Sequence, residues 1–325
     1  MYKFILGLLF CSFFITSCEK KETPITLPVK GDGKLMQVDM GETYELQYFI
    51  NLREQKIVHI SKIDNWDLAF QSGDNQHSIF LNGGKGMAAY NTNKTKFEDV
   101  NYNDTLQAKT QWDYDSPKGL IDSSAIGDWK KNNTIYLVKL NESGSKVRKL
   151  QITYEDAFQY IISVGDIAST IPYSVTIIKN KDCNYTYFSF DLLTTVSQVE
   201  PNKNSWDLQI TRFNYTFYDQ NPALRYIVNG VLINPSNTSA YKDSLTNYND
   251  INTDFATTVP LSNERDIIGF NWKTYDIDKG VYTVVKKYNF IIKTQNDNYF
   301  KLHFLDFYSA NGVKGSPKFE FNQLK

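Results

Sequence analysis

The chain is written twice, and that constrains its fold more than any other feature. Gln47-Tyr-Phe-Ile-Asn-Leu52 precedes Asn65-Trp66-Asp67-Leu68, and Tyr187-Phe-Ser-Phe-Asp-Leu192 precedes Ser205-Trp206-Asp207-Leu208. Asn82-Gly83 and Thr95-Lys-Phe-Glu-Asp-Val100 follow the first block; Asn229-Gly230 and Thr246-Asn-Tyr-Asn-Asp-Ile251 follow the second. Ile126-Gly-Asp-Trp129-Lys130 answers Ile268-Gly-Phe-Asn-Trp272-Lys273, and Arg148-Lys-Leu-Gln-Ile152 answers Phe300-Lys-Leu-His-Phe304. Several short matches in one order define two copies, 36–170 and 171–325, each of ordinary domain size. The second is longer, mainly between Trp206-Asp207 and its Asn-Gly block and after Trp272. A β-propeller is excluded, because it needs four or more blades about 40 residues apart.

Within each copy the pattern is that of strands. Tyr44–Leu52, Thr134–Leu140 and Tyr282–Lys293 alternate apolar with polar residues, and helical spacing is scarce. The 22 Tyr and 21 Phe suit pleated, half-buried surfaces, and Asn-, Asp- and Gly-rich clusters punctuate the runs as turns. The expectation is an all-β chain of two tandem antiparallel domains with one or two short helices. Trp66 and Trp206 read as core anchors at strand starts, and the Asp after each as a ligand for turn backbone. The formal charge of −1 offers no basic excess for a phosphate backbone, so nucleic acid is not an expected partner.

The first 17 residues read as a signal peptide. Lys3 precedes Phe4–Ser17, an uncharged and mostly apolar run too short to span a bilayer. It ends Ile15-Thr16-Ser17-Cys18, an aliphatic residue, two small ones and a cysteine: a lipobox, with lipidation expected at Cys18. Residues 18–35, with Pro24, Pro28, Gly31 and Gly33, read as a lipidated tether. Acyl chains anchor a protein to a membrane without spanning it. Once the signal peptide is cleaved and Cys18 acylated, Cys183 has no cysteine to pair with and reads as structural.

The second copy resembles the HmuY family, the haem-capturing surface lipoproteins of Bacteroidota. The matching residues are Tyr187-Phe-Ser-Phe190, Trp206-Asp-Leu208 with Arg212, Trp272, Asn289–Lys293, Asn298–Tyr308, Gly315 and Phe319-Glu-Phe321. The first copy looks like a degenerate second version. The resemblance implies an HmuY-like all-β fold in both copies and an outer-membrane lipoprotein, on the periplasmic or the cell-surface side. It also implies haem or another porphyrin as ligand, held between two axial side chains and passed to a TonB-dependent outer-membrane transporter. The axial histidines are not retained. The family's second one falls at Ile277, five residues after Trp272, and 250–270, where the first would lie, contains no His or Met. Thr134 holds the corresponding place in the first copy.

Haem iron also accepts Met or Tyr. Of the three histidines, His59 and His303 lie in strand-like runs, whereas His77 lies in a polar loop with Met87 ten residues on. His77 and Met87 are therefore the candidate ligand pair. No other metal site is assigned. Gly83-Gly-Lys-Gly86 lacks the spacing of a phosphate-binding loop, and no Gly-x-Ser-x-Gly elbow occurs. A non-catalytic binding protein is expected. The alternative is a surface carbohydrate- or protein-binding module using exposed Tyr and Trp.

Overall fold

A computed structural model describes residues 33–325; the signal peptide, Cys18 and most of the tether lie outside the described residues. The first copy supplies β1 (Lys34–Gln37), β2 (Leu46–Asn51), β3 (Lys56–Lys62), β4 (Leu68–Gln71), β5 (Ile79–Leu81), β6 (Ala88–Asn91), β7 (Ile135–Lys139), β8 (Val147–Glu155) and β9 (Gln159–Asp166). Helix α1 (Tyr102–Ala108) lies between β6 and β7. The second supplies β10 (Tyr173–Ile178), β11 (Tyr185–Ser189), β12 (Thr194–Val196), β13 (Leu208–Phe217), β14 (Leu224–Ile233) and β15 (Ser239–Asp243). Helix α2 (Thr253–Thr258), β16 (Lys273–Asp276), β17 (Val281–Val284), β18 (Asn289–Thr294), β19 (Asn298–Tyr308) and β20 (Lys314–Leu324) complete it. Lys34 and Leu35, read from sequence as tether, already belong to β1.

The strands pair antiparallel into two five-stranded sheets, β1-β20-β19-β18-β15 and β10-β9-β8-β7-β6, and two four-stranded sheets, β14-β13-β2-β3 and β12-β11-β4-β5. One of each kind makes a sandwich. The first core joins Tyr48, Ile50, Leu208 and Val231 to Trp272, Phe290, Phe304 and Phe319. The second joins Leu68, Phe70, Phe188 and Phe190 to Trp129, Leu150, Tyr160 and Ile162. Alternation explains this: on β2, Tyr48 and Ile50 enter the core while Gln47 and Phe49 turn to the opposite face.

The two sandwiches do not coincide with the two sequence copies. β1 and β2 of the first copy pair with β20 and β13 of the second, with β3 beyond β2, whereas β10 and β11 of the second pair with β9 and β4 of the first. One sandwich, called here the inserted one, runs continuously from β4 to β12. The other, the outer one, is assembled from β1–β3 and β13–β20. Strands pair across the boundary that the sequence reading sets at 170/171, as β9 with β10.

The repeated Trp-Asp blocks fasten this exchange. Asp67 N donates to Phe188 O (2.8 Å), and Asp67 Oδ2 accepts Phe190 N (2.7 Å). Asp207 N donates to Ile50 O (2.8 Å), and Asp207 Oδ2 accepts Leu52 N (2.7 Å). Each aspartate therefore grips a strand of the other copy. Asn82 Nδ2 bridges Ile63 O and Trp66 O at 2.6 and 2.9 Å; Asn234 Nδ2 bridges Lys203 O and Trp206 O at 2.7 and 2.8 Å. The structural counterpart of Asn82 is thus Asn234, which corrects the sequence match to Asn229. The later matches hold: Phe97 and Tyr248 open equivalent short turns, and Lys149 and Lys301 both donate to the carbonyls there.

Candidate ligand-binding site

The extra length of the second copy goes into two hairpins of the outer sandwich. β13 and β14 pair over ten residues each, against three paired positions for β4 and β5. After Trp272 the chain makes the β16–β17 hairpin, where the first copy has only a short turn after Trp129. Both hairpins carry aromatic side chains.

On the β13–β14 arm, Tyr215 lies 5.0 Å from Phe217 and 4.7 Å from Phe270, and Phe217 lies 6.1 Å from Tyr226, ring centre to ring centre. Phe270 reaches this arm because the backbone comes unusually close: a Cβ at Gly230 would stand 2.4 Å from Gly269 O. Val231 and Gly269 exchange backbone hydrogen bonds of 2.9 and 3.0 Å at that contact. Only glycine fits there, which gives Asn229-Gly230 its role.

The β16–β17 hairpin carries a second cluster. Tyr275 and Tyr282 face each other across the strand pair at 4.8 Å; Tyr282 packs on Phe307 at 4.8 Å, and Tyr44 lies 6.1 Å from Phe307. Tyr308 OH accepts the backbone N–H of Tyr282 at 2.7 Å. Trp272 joins the clusters to the core, stacked 3.8 Å from Phe304 and edge-on to Phe307. Beside it, Lys273 is buried over the Trp272 and Phe307 rings (4.3 and 4.7 Å) and donates to Asn229 O at 2.8 Å. Burial pulls its pKa down to about 7. Burial also holds the Tyr44 and Tyr282 phenols above the usual tyrosine range, with the neighbouring phenols adding to it. Outward from these groups the hairpins are open: Tyr226, Tyr275 and Ile277 are 53%, 51% and 84% exposed.

This end offers flat apolar faces and phenol oxygens but no imidazole. The profile of the family described as HmuY protein matches residues 43–195 and again 181–321. The chain belongs to the HmuY family. The HmuY match thus falls once on each copy, and the two matches overlap across β11, one of the exchanged strands. Solved structures similar to the chain include apo PinO from Porphyromonas gingivitis, 10% identical, with 91% of this chain and 99% of that one covered at a TM-score of 0.27. Another is the apo HmuY analog of Tannerella forsythia, 10% identical, with 90% and 96% covered at 0.26. No curated protein matches the chain.

The sequence-derived ligand pair is placed apart in character. Met87 is 0% exposed, packed in the core of the inserted sandwich. His77 is half-buried at that sandwich's edge, its Nε2 3.4 Å from Asp128 Oδ1 and its carbonyl accepting Trp129 Nε1 at 2.9 Å. A ligand could reach the His77 ring, whereas the Met87 sulfur lies beneath packed side chains. His303 stacks on Tyr248 at 3.8 Å and meets Glu320, and His59 Nε2 hydrogen-bonds Gln198 O at 2.7 Å; both are structural. Burial lifts the Cys183 thiol to about 11, far from a reactive thiolate. Among the described residues, no group of three or more His, Cys, Asp or Glu is arranged to hold a metal ion.

A second concavity separates the sandwiches. Trp66, Phe80, Tyr185 and Tyr187 of the inserted sandwich face Gln47, Gln209 and Thr211 of the outer one. Gln209 Nε2 and Thr211 Oγ1 both donate to Gln47 Oε1, at 2.9 and 3.1 Å. Glu200, buried in the connecting segment, accepts Tyr187 OH at 2.7 Å and the backbone N–H of Asn184, and burial raises its pKa to about 7. The space left is about 80 Å³. Small-molecule pockets run from about 300 Å³ upward, so this seam accommodates water and no porphyrin.

Proposed function

We propose that this HmuY-family protein is a lipid-anchored, non-catalytic receptor for haem or a related porphyrin, bound at the two-hairpin end of the outer sandwich. The observation that carries the reading is the placement of the second copy's extra length. It builds two hairpins whose exposed rings serve no core, at the end of the fold where the family's histidine position falls, at Ile277. A flat macrocycle gains from burial against such rings. Ferric iron is matched by oxygen, and tyrosine is a known haem ligand. Tyr275, half-exposed on β16 and two residues before position 277 in the turn that follows, is the proposed axial residue. The buried Lys273 sets a positive or neutral amine behind the ring, depending on pH. Lipidation at Cys18 and hand-over to a TonB-dependent outer-membrane transporter belong to the same proposal. Among the described residues no helix is long and apolar enough to cross a membrane.

Absorbance titration of the purified protein with ferric haem, and with metal-free protoporphyrin beside it, tests the reading. A saturable one-to-one Soret shift is expected. Tyr275→Phe should weaken ferric haem about tenfold while leaving the metal-free ring within about twofold, since only an iron ligand distinguishes them. His77 and Met87 stand as the rival pair: loss on His77→Ala with Tyr275→Phe unaffected moves the site to the inserted sandwich. Unsaturable binding of both rings overturns the porphyrin reading.

A further inference from the structure

Four lysines are buried among the described residues, Lys139, Lys149, Lys179 and Lys273. Burying an ammonium is costly unless acceptors replace its water. Lys149 donates to Phe97 O and Ser169 O at 3.0 and 2.8 Å, Lys179 meets Glu155, and Lys273 meets Asn229 O. Lys139 differs. It is 5% exposed, and its Nζ has one partner among the described residues, the Tyr114 hydroxyl at 2.7 Å. Its other contacts are ring faces, Tyr114 at 4.9 Å and Trp112 at 5.8 Å. Two of its donors therefore point to no protein acceptor.

Lys139 lines an open groove of about 870 Å³ between α1, the β7–β8 turn and Arg225 of β14. Arg225 lies across the other side of Tyr114's environment, 4.1 Å from that ring, held by Asn214 and Glu142. The lining holds five basic side chains (Lys109, Lys139, Lys146, Arg148, Arg225) against two acidic ones (Glu142, Asp166). Arg148 is paired with Asp166, Lys146 with Asp191 and Arg225 with Glu142, whereas Lys109 and Lys139 meet no carboxylate within ion-pair distance among the described residues. The lining also holds two rings, Tyr102 and Trp112, and the hydroxyls of Thr105 and Ser143. A porphyrin would need a continuous apolar slot. A saccharide ring needs an aromatic face on one side and hydrogen-bonding groups on the other.

We propose that this groove binds an anionic saccharide, its carboxylate or sulfate seated on Lys139 and Arg225 and its ring against Trp112. The groove borrows Arg225 from β14 of the hairpin arm, but the proposal does not rest on the haem reading.

Affinity electrophoresis of the full-length protein in native gels containing polygalacturonate, chondroitin sulfate or neutral dextran tests it. Retardation by at least one acidic polymer and none by dextran is expected; which acidic polymer acts separates carboxylate from sulfate. Lys139→Met should weaken that retardation about tenfold and Arg225→Gln about fivefold, as losing a charged hydrogen-bond partner does. Lys109→Ala, an exposed change that leaves the fold intact, should weaken it about twofold. Haem titration should be unchanged in Lys139→Met and Lys109→Ala, which lie off the hairpin arm. No retardation by either polyanion, equal retardation by dextran, or wild-type retardation of the Lys139 and Arg225 variants overturns the proposal.

Discussion

The outer and inserted sandwiches share one plan and differ at one end. Both have a five-strand ladder, a four-strand ladder half borrowed from the other copy, and a Trp-Asp block gripping the borrowed strand. Lys149 and Lys301 hold equivalent turns. The larger difference lies in two connections: the inserted sandwich closes β4–β5 and the Trp129 turn tightly, while the outer one extends both into aromatic hairpins. The shared parts carry stability and the unshared parts are free to carry ligand, as expected when function is grafted on a scaffold. The clamps differ in one more respect. Asp67 is met by Lys85 Nζ at 2.5 Å, whereas Asp207 has no cation among the described residues, and burial raises its pKa to about 6.

The largest effect expected from testing this comparison is in the cores. Trp272→Ala and Trp129→Ala should each cost about 3–5 kcal/mol in urea unfolding, with Trp272 the costlier because it stacks on Phe304 and backs Phe307. Equal costs would mean the hairpin end is not braced through Trp272. An intermediate effect concerns the clamps. A carboxyl whose pKa is raised on folding favours the folded state below its unfolded value and loses that contribution as pH rises through the folded value. Stability should therefore fall between about pH 4 and pH 6 on account of Asp207, and Asp207→Asn should flatten that part of the profile. An unchanged profile in Asp207→Asn would remove the asymmetry between the clamps. The smallest effect is the most telling: Tyr226→Ala and Tyr275→Ala should change unfolding free energy by no more than about 0.5 kcal/mol, as exposed positions do. A cost above 2 kcal/mol would make the hairpin rings structural.

Much of the fold was legible because alternation and duplication are both sequence properties. The all-β class, the two copies, the short helices and the places of extra length all follow from them. The strand exchange does not, because Leu68 and Leu208 present similar neighbours to the same kind of strand, and similarity cannot say which copy supplies it. The Asn-Gly match failed for a related reason. It was read by letters, whereas the hydrogen bonds that define the position belong to Asn234, which Pro235 follows. At the candidate site, the length difference was a visible pointer, but 22 tyrosines gave no way to single out Tyr275 or Tyr226. Met87 looked available beside a glycine-rich turn; its place at the entry to β6 turns it into the core instead.

The nesting of one sandwich within the other also sets a schedule. A chain delivered from its N-terminus presents β1 to β3 first, yet β13 and β20, the partners of β2 and β1, arrive late or last. The inserted sandwich is complete once β12 has emerged and can close while the rest is still being threaded. Until then β2 waits with Tyr48, Ile50 and an open edge, the kind of surface that attracts wrong partners. Assembly of this protein must therefore bridge an interval in which half of it is finished and its first hairpin is not, and a holding chaperone acting on residues 46–62 would have its work in that interval.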